Sequence, residues 1–361
     1  MSSPRLAEDD RFVVAPLLTV DLADPAVITS SVDNATFRAS DPRLASVLVA
    51  ARGARTGTEW ISLIDTTLGV EPEVARSIFE QLVATGLVRG DVDSAVDRDI
   101  DQWFDHGWGQ ALTYHLSTRN LIFADVEPGA ARPYANLIDS GPPPSWFTEH
   151  EQALERIALP AVEPIDSAEP FASMILRRRT NKPWTKTAVR FEELGWLLTV
   201  TNSDSTRARW RASREWQTDP SVLLDVPFGA FESYLVVDAV RPLPSGLFHV
   251  NLAQQSLDLI RHGSMMADLV SICGNQKALE GCQFAVLIVA EWQRQQFNYR
   301  HPRGYRNLFV SAGEFAQSYV MAATALNYSV FLTPATRDEL AEGLLEADRY
   351  ESNLLYVIGI G

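Results

Sequence analysis

Residues 177–182 read Arg-Arg-Arg-Thr-Asn-Lys, placing three guanidinium groups, a hydroxyl and an ammonium within six positions. They follow an apolar run (Phe171, Met174, Ile175, Leu176) and precede Pro183 and Trp184. A solvated helix end scatters charges of both signs. A compact set of cations beside a hydroxyl suits a phosphate dianion, because guanidinium forks match its oxygens in pairs and a lysine adds a point charge. The residues alone leave two readings open, a phosphate seat or a basic helix terminus.

The rest of the chain makes this cluster stand out. Its 361 residues carry 31 Lys plus Arg against 46 Asp plus Glu, a formal charge of −15, and only three of the cations are lysines (Lys182, Lys186, Lys277). That balance argues against a nucleic-acid partner, which demands a basic face, and suits a cationic or apolar peptide better. Cys273 and Cys282, the only cysteines, form no CxxC pair, and the histidines are not clustered, so neither a zinc site nor a disulfide framework follows. Buried free thiols are expected instead. His106 and His115 read as packing or hydrogen-bonding residues rather than metal ligands. The start, Met1 to Arg5, lacks the apolar core of a signal peptide, and no apolar run approaches the roughly 20 residues of a membrane span. A cytoplasmic protein without a membrane partner is expected.

The elements that must position the chemistry fall into three stretches. Residues 1–90 read as a small separate unit. Phe12 to Val20 and Ala26 to Ser30 are β-rich, Ala35 to Ala39 is a third strand, and helices are predicted at Asp41–Ala51, Glu59–Leu68 and Pro72–Thr85. Strands followed by three short helices suggest a winged-helix-like module. Its third helix is too acidic for DNA, so the unit reads either as a peptide-recognition domain or as a packing or dimerisation domain. Residues 91–164 form a helical and Pro-rich connector, with breaks at Gly141-Pro142-Pro143-Pro144 and again at Pro160 to Pro170. Residues 165–361 form the third stretch. Within it Arg190–Thr201 and Tyr305–Asn327 read as helices, the second apolar nearly all round and so buried. Phe284–Trp292 reads as a central strand, Asp338–Leu345 as a helix and Glu351–Gly361 as a strand.

Several motifs carry a resemblance. Arg178-Arg179-Thr180-Asn181-Lys182-Pro183-Trp184 resembles the Arg-Arg-Ser-x-Arg-x-aromatic opening of the FMN-dependent nitroreductase superfamily. Asn298-Tyr299-Arg300, Arg303-Gly304-Tyr305-Arg306 and Ala312-Gly313-Glu314-Phe315-Ala316-Gln317-Ser318 resemble the Lys-Tyr, Arg-Gly-Tyr-Arg and Ala-Gly-His-x-Ala-Gln-Asn block of the SagB-type azoline dehydrogenases. Those enzymes mature thiazole- and oxazole-containing ribosomal peptides, thiopeptides among them. The resemblance implies an α+β fold: a homodimeric nitroreductase-like α/β/α sandwich preceded by the winged-helix-like domain. It implies that Arg178, Arg179, Thr180 and Lys182 hold the phosphate and ribityl of FMN. It further implies that the loop with Gly229 and Ala230 runs beside the flavin ring, and that Thr333-Pro334-Ala335 offers a backbone N–H to flavin N5. Relatives follow the last strand with a basic residue near the phosphate; none follows Gly361 here, which leaves the phosphate to Arg177–Lys182.

The implied reaction oxidises a peptide thiazoline or oxazoline to the aromatic azole. The implied partners are a precursor peptide, a leader segment of it on residues 11–90, and cyclodehydratase components. This sequence departs from the pattern at Asn298, where relatives carry a proposed catalytic Lys, at Glu314 in place of His, and at Phe228 within the small-residue loop. Asn298 can orient a substrate but cannot act as a base, so Tyr299, aided by neighbouring cations, becomes the candidate proton acceptor; the alternatives are a base elsewhere in the chain or loss of the proton to water. The departures keep two alternatives open. One is another FMN-dependent oxidoreductase, nitroreductase-like or tailoring a natural product; the other is a non-catalytic peptide-binding scaffold with a decayed flavin site.

Overall fold

The computed structural model describes residues 10–32, 35–91, 94–119, 141–162, 170–180, 183–184 and 188–361. The chain divides into two compact units, Met1–Asp125 and Val126–Gly361. The first contains β1 (Arg11–Val14), β2 (Leu18–Asp21), β3 (Ala26–Ser30), β4 (Ala35–Ala39), α1 (Leu44–Ala50), β5 (Arg55–Thr56), α2 (Gly57–Leu68), α3 (Pro72–Ala84), β6 (Val88–Gly90), α4 (Ser94–Asp105) and α5 (Gly109–Ser117). Two antiparallel three-stranded sheets result, in the orders β5-β1-β6 and β2-β3-β4. The single strand expected over Phe12–Val20 is broken at Pro16, which fixes φ and has no N–H for a ladder, and Leu17 turns the chain with φ 57°. Helix α2 opens on a capping box between Thr56 and Glu59. Its Trp60 stacks over Phe79 of α3 and donates its indole N–H to the Phe12 carbonyl at 3.2 Å.

The second unit contains β7 (Glu155–Ala158), α6 (Phe171–Arg177), β8 (Val189–Arg190), α7 (Phe191–Glu215), β9 (Phe231–Val237), β10 (Val240–Arg241), β11 (Gly246–Asn251), β12 (Ser256–His262), α8 (Met266–Ile272), β13 (Phe284–Glu291), α9 (Trp292–Asn298), α10 (Gly304–Ala325), β14 (Val330–Thr333), α11 (Asp338–Leu345) and β15 (Ser352–Ile360). Seven strands form one sheet in the order β14-β15-β13-β9-β11-β12-β7, every neighbouring pair antiparallel. Phe284, Val286 and Ile288 of β13 pack with α7 and α10 on one face, while Ala285, Leu287 and Val289 pack with α8 and α11 on the other. Both faces are covered, so β13 reads as an unbroken apolar run although its neighbours are antiparallel.

Two boundaries and the burial of one helix differ from those expected. The third stretch was to begin near residue 165, yet β7 pairs with β12 and completes the sheet edge, so residues 141–162 belong to the second unit rather than to a connector. Helix α7 runs to Glu215 instead of ending at Thr201. Its inward stripe turns polar at Asn202, Ser205 and Arg209, each buried and each bonded inside the unit, so the apolar period fades while the helix continues. Helix α10 is buried along one face only: Tyr305, Phe309 and Val310 are exposed. Both cysteines are free and buried, and burial pushes each thiol up to about 12. Among the described residues no helix is long and apolar enough to cross a membrane.

Helices α7 and α10, side by side on one face of the sheet, are joined to each other and to β9 through one hydroxyl. Tyr319 receives the Asn202 amide at 2.8 Å and shares a hydrogen bond with Ser233 at 2.9 Å, all three side chains being buried. Replacing Tyr319 with Phe leaves two buried polar groups without this partner, and should cost about 1–3 kcal/mol. Urea denaturation of the variant checks this, with an unchanged midpoint as the contrary result.

Candidate functional site

Helix α6 ends at Arg177, whose guanidinium donates to the Thr324 carbonyl at 2.9 Å and so ties the helix to α10 rather than facing a ligand. Arg178 reaches the Thr180 hydroxyl at 3.3 Å, and Arg179 folds back on the Leu176 and Arg178 carbonyls. Among the described residues neither Arg178 nor Arg179 pairs with a carboxylate, although the chain holds an excess of acids. Thr180 bridges in parallel to Val330, the first residue of β14. The expected Lys182 lies outside the described residues.

Strand β14 carries the chain about 10 Å from Val330 to Thr333. There the Thr333 hydroxyl accepts both the Gln276 amide and the Ala335 N–H, each at 3.1 Å. Pro334 has no N–H, so the expected donor loop Thr333-Pro334-Ala335 has its own N–H engaged. The next one along, on Thr336, makes no hydrogen bond among the described residues.

The loop before β9 is a tight turn closed by Gly229 N–H to the Val226 carbonyl at 3.1 Å. Phe228 occupies the left-handed region at φ 55°, an uncommon place for a bulky residue. A Cβ on Gly229 would stand 2.8 Å from Val226 Cγ1 and 3.1 Å from Trp146 Cζ3. The glycine is therefore demanded by this chain's own packing, and Ala230 lies in the apolar core. At the end of α9, Asn298 donates to the Leu223 carbonyl at 3.1 Å, and Tyr299 is 48% exposed. A cavity of about 280 Å³ brings Gly229 and Ala230 together with Asn298 and Tyr299, and Trp146 and Arg294 complete its wall. Among the described residues no hydrogen bond or ion pair joins this cavity to the Arg178–Thr180 turn.

What holds the cavity is a group of charges that motif reading missed. Glu232 on β9 is 2% exposed; Arg209 of α7, 1% exposed, and Arg294 of α9, 4% exposed, both grip its Oε1. His249 of β11 meets Oε2 at 3.2 Å. The same guanidiniums donate outward. Arg209 serves the carbonyls of Trp146, Phe228 and Phe231, and Arg294 serves the Ser145 carbonyl and the Thr148 hydroxyl. The loop before β9 and the segment 145–148 are thus fixed from beneath. Burial pushes the Glu232 carboxyl up, but the two arginines, aided by His249, reverse this and hold it well below the usual range. An acid inside the apolar run of β9 was a visible signal; Arg209, one of several arginines along α7, gave none. No cluster of His, Cys, Asp or Glu among the described residues could hold a metal.

The Nitroreductase family pattern matches residues 175–361. The chain belongs to the nitroreductase family. It is 28% identical over 362 residues to the trifolitoxin operon protein TfxC of Rhizobium leguminosarum bv. trifolii, covering 96% of this chain and 99% of TfxC. It is 26% identical over 124 residues to the trifolitoxin-processing protein TfxB of the same organism, about 33% of either chain. A crystal structure from Anabaena variabilis assigned to the nitroreductases superposes with a TM-score of 0.50 at 18% identity, over 70% of this chain and 47% of that one. That likeness concerns the fold. Nitroreductase-family membership implies an oxidoreductase, and such enzymes typically use a flavin. Trp146 and Arg209-gripped Glu232 show how this member of the family builds its cavity: Trp146 precedes the family-matching residues, whereas Glu232 lies within them.

Replacing Glu232 with Gln should destabilise the protein by about 3–5 kcal/mol, because two guanidiniums would remain buried without their counter-charge. The folded carboxyl is depressed, so its contribution is complete above the unfolded value near 4.5 and is lost as pH falls toward the folded one. Denaturation midpoints of wild type and variant should therefore converge below about pH 4.5. A pH-independent gap would contradict the assignment.

Proposed function

We propose that the chain is an FMN-dependent dehydrogenase that oxidises thiazolines or oxazolines in a ribosomally made peptide to thiazoles or oxazoles. The observation that carries the flavin is the Arg178–Arg179–Thr180 turn, two guanidiniums without a carboxylate partner among the described residues, beside a hydroxyl and at the head of β14. The run of β14 from this turn to the Thr333–Thr336 loop is comparable in length with an extended ribityl phosphate, so the residues present fit FMN. Arg178, Arg179 and Thr180 would hold its phosphate, with Lys182 beside them in sequence, and the Thr336 N–H is the donor left over at the far end of the strand. When bound, FMN supplies the acceptor for the hydride that leaves the azoline ring.

The protein's own part is to hold the ring and take the proton. Asn298 orients the substrate, and Tyr299, half exposed on the same cavity, is the proton acceptor for the ring carbon. The apolar exposed faces of α6 (Phe171, Leu176) and α10 (Phe309, Val310) supply the surface for a homodimer. TfxC aligns over residues of both units, and the names of TfxC and TfxB associate them with the making of trifolitoxin, which supports a peptide-tailoring role. In this reading the first unit is a winged-helix-like module that holds a leader peptide against an edge strand, β2 or β4. Cyclodehydratase components would install the azolines that this enzyme consumes. Asn298, standing where azoline dehydrogenases have Lys, favours a second reading, a different two-electron oxidation of the same kind of product.

The purified protein should be yellow, and an azoline peptide should lose two hydrogens per ring by mass. A colourless protein that takes up no FMN sinks the enzyme reading; an unchanged azoline with another oxidised product selects the second. Replacing both Arg178 and Arg179 with Gln removes charge-assisted bonds of about 1.5–3 kcal/mol each, so FMN affinity should fall at least tenfold. Tyr299→Phe should keep the flavin while kcat drops about 10²–10⁴-fold. Gly304→Ala should mimic it in part, since a Cβ there would lie 2.6 Å from Tyr299 Cβ and displace the ring. Full activity in both variants would remove Tyr299 from the chemistry.

A further inference from the structure

Tyr299 and Gln295 line two cavities. One is the cavity of about 280 Å³ with Gly229 and Asn298; the other has about 270 Å³, and the two meet at the phenol proposed to take the proton. The second cavity is walled by Trp292 of α9, by Pro302 of the following turn, and by Tyr305 and Leu308 of α10, with Arg300 and His301 completing it. The Trp292 and Tyr305 rings lie 6.2 Å apart at 32°, and Tyr305 meets Phe309 edge-on at 4.8 Å. Tyr305 is 52% exposed and Tyr299 48%, so both rings keep surface for a ligand.

The turn between α9 and α10 makes these walls rigid. The Tyr299 N–H donates to the Gln295 carbonyl at 2.9 Å, and the Gln295 side-chain amide donates to the Gly304 carbonyl at 2.9 Å. The Gly304 N–H closes on the His301 carbonyl at 2.8 Å, and the Tyr305 N–H on the Pro302 carbonyl at 3.0 Å. Walls fixed in advance lose little freedom when a ligand arrives.

Size and charge select the occupant. Drug-sized ligands fill roughly 300–1,000 Å³, so this cavity suits one large side chain rather than a whole molecule. Aromatic walls favour a ring that packs offset or edge-on. Among the described residues no Asp or Glu lines the cavity and Arg300 forms no ion pair. Its Nε donates to the Phe297 carbonyl at 3.4 Å, and its guanidinium lies 5.7 Å from the Phe297 ring. A lysine or arginine side chain would meet like charge there. An acidic one would neutralise the cations that favour the Tyr299 phenolate. A neutral aromatic ring does neither, and its face attracts a guanidinium.

We propose that the Trp292–Tyr305 cavity holds an aromatic side chain of the residue adjoining the reacting ring in the peptide, and that Arg300 turns a cationic residue away. Tyr305 sets this specificity by ring contact. That the occupant belongs to a peptide oxidised beside Tyr299 rests on the function proposed above; the preference for a neutral aromatic group does not. The net charge of −15 attracts a basic peptide as a whole, so the exclusion of a cation is local to this subsite.

The test uses the full chain supplied with FMN and short peptides carrying one thiazole. Each of the two positions flanking the ring is Phe, Ala, Lys or Glu in turn. Calorimetry on these peptides needs no turnover, and the matching thiazolines are run beside them for steady-state oxidation. At one flanking position wild type should bind the Phe peptide about tenfold more tightly than the Ala peptide, with Lys weaker than Ala. Tyr305→Ala should cut the Phe-over-Ala ratio about three- to tenfold, as loss of an aromatic pair does, and Tyr305→Phe should keep it. Arg300→Glu should raise the affinity of the Lys peptide several-fold and leave that of the Ala peptide unchanged. Equal binding of Phe and Ala peptides by wild type at both positions overturns the subsite whether or not any variant folds. So does Glu outranking Phe, which would make the cavity an anion seat. A Tyr305→Ala protein that loses concentration-dependent dimerisation yet retains the Phe preference overturns it too, assigning the face to a second copy. Phe preference in binding without thiazoline oxidation would leave the subsite standing and remove the azoline reading.

Discussion

A carboxylate gripped by two guanidiniums at the end of a buried sheet is the constraint on which the second unit's site depends. Taking three charges out of water is costly, and their attraction offsets the cost only when the geometry is close and the remaining N–H groups find acceptors. Glu232, Arg209 and Arg294 meet both conditions. The spare guanidinium N–H groups fall on the carbonyls of Ser145, Trp146, Phe228 and Phe231. Two irregular segments, which regular ladders could not satisfy, thereby have their backbone acceptors filled. The ionic group converts a sheet end into a platform.

That platform explains a strained residue. A left-handed Phe228 carries a penalty on the order of 1–3 kcal/mol and persists only where its surroundings over-determine it. Its carbonyl is taken by Arg209, its ring stacks on Phe315 at 4.8 Å, and Gly229 behind it leaves room for Trp146. The position that looked like a defect in the family's small-residue loop is thus a packed corner. It joins α10, the loop and the preceding segment, and the cavity with Asn298 and Tyr299 opens beside it.

Much of the fold was legible because local signals agreed with burial. Strands Ala26–Ser30 and Ala35–Ala39 and helix α11 fall where expected, helix α3 enters through Pro72 and stops before Gly86 in the left-handed region, and β13, β15 and α10 differ from expectation by a residue or two at their ends. The cationic turn and the Asn-Tyr pair were visible as motifs. What the pattern could not reveal was β7, a four-residue strand with three exposed side chains, whose only claim to the sheet is its pairing with β12. Nor could it extend α7, because a helix whose inward stripe is Asn, Ser and Arg looks solvated until its partners are known.

By itself the sequence determined which segments could form covered strands and helices, since hydrophobic period and capping act over a few residues. It also determined that an acidic chain places four of its 31 cations within six residues. Tertiary structure alone decided that Arg209 and Arg294 are interior, that Trp146 walls a cavity with Asn298, and that Ala335 spends its N–H on Thr333. The physical reason is range. A charge is buried or solvated according to what arrives from 23 or 62 residues away, and no local pattern encodes that arrival.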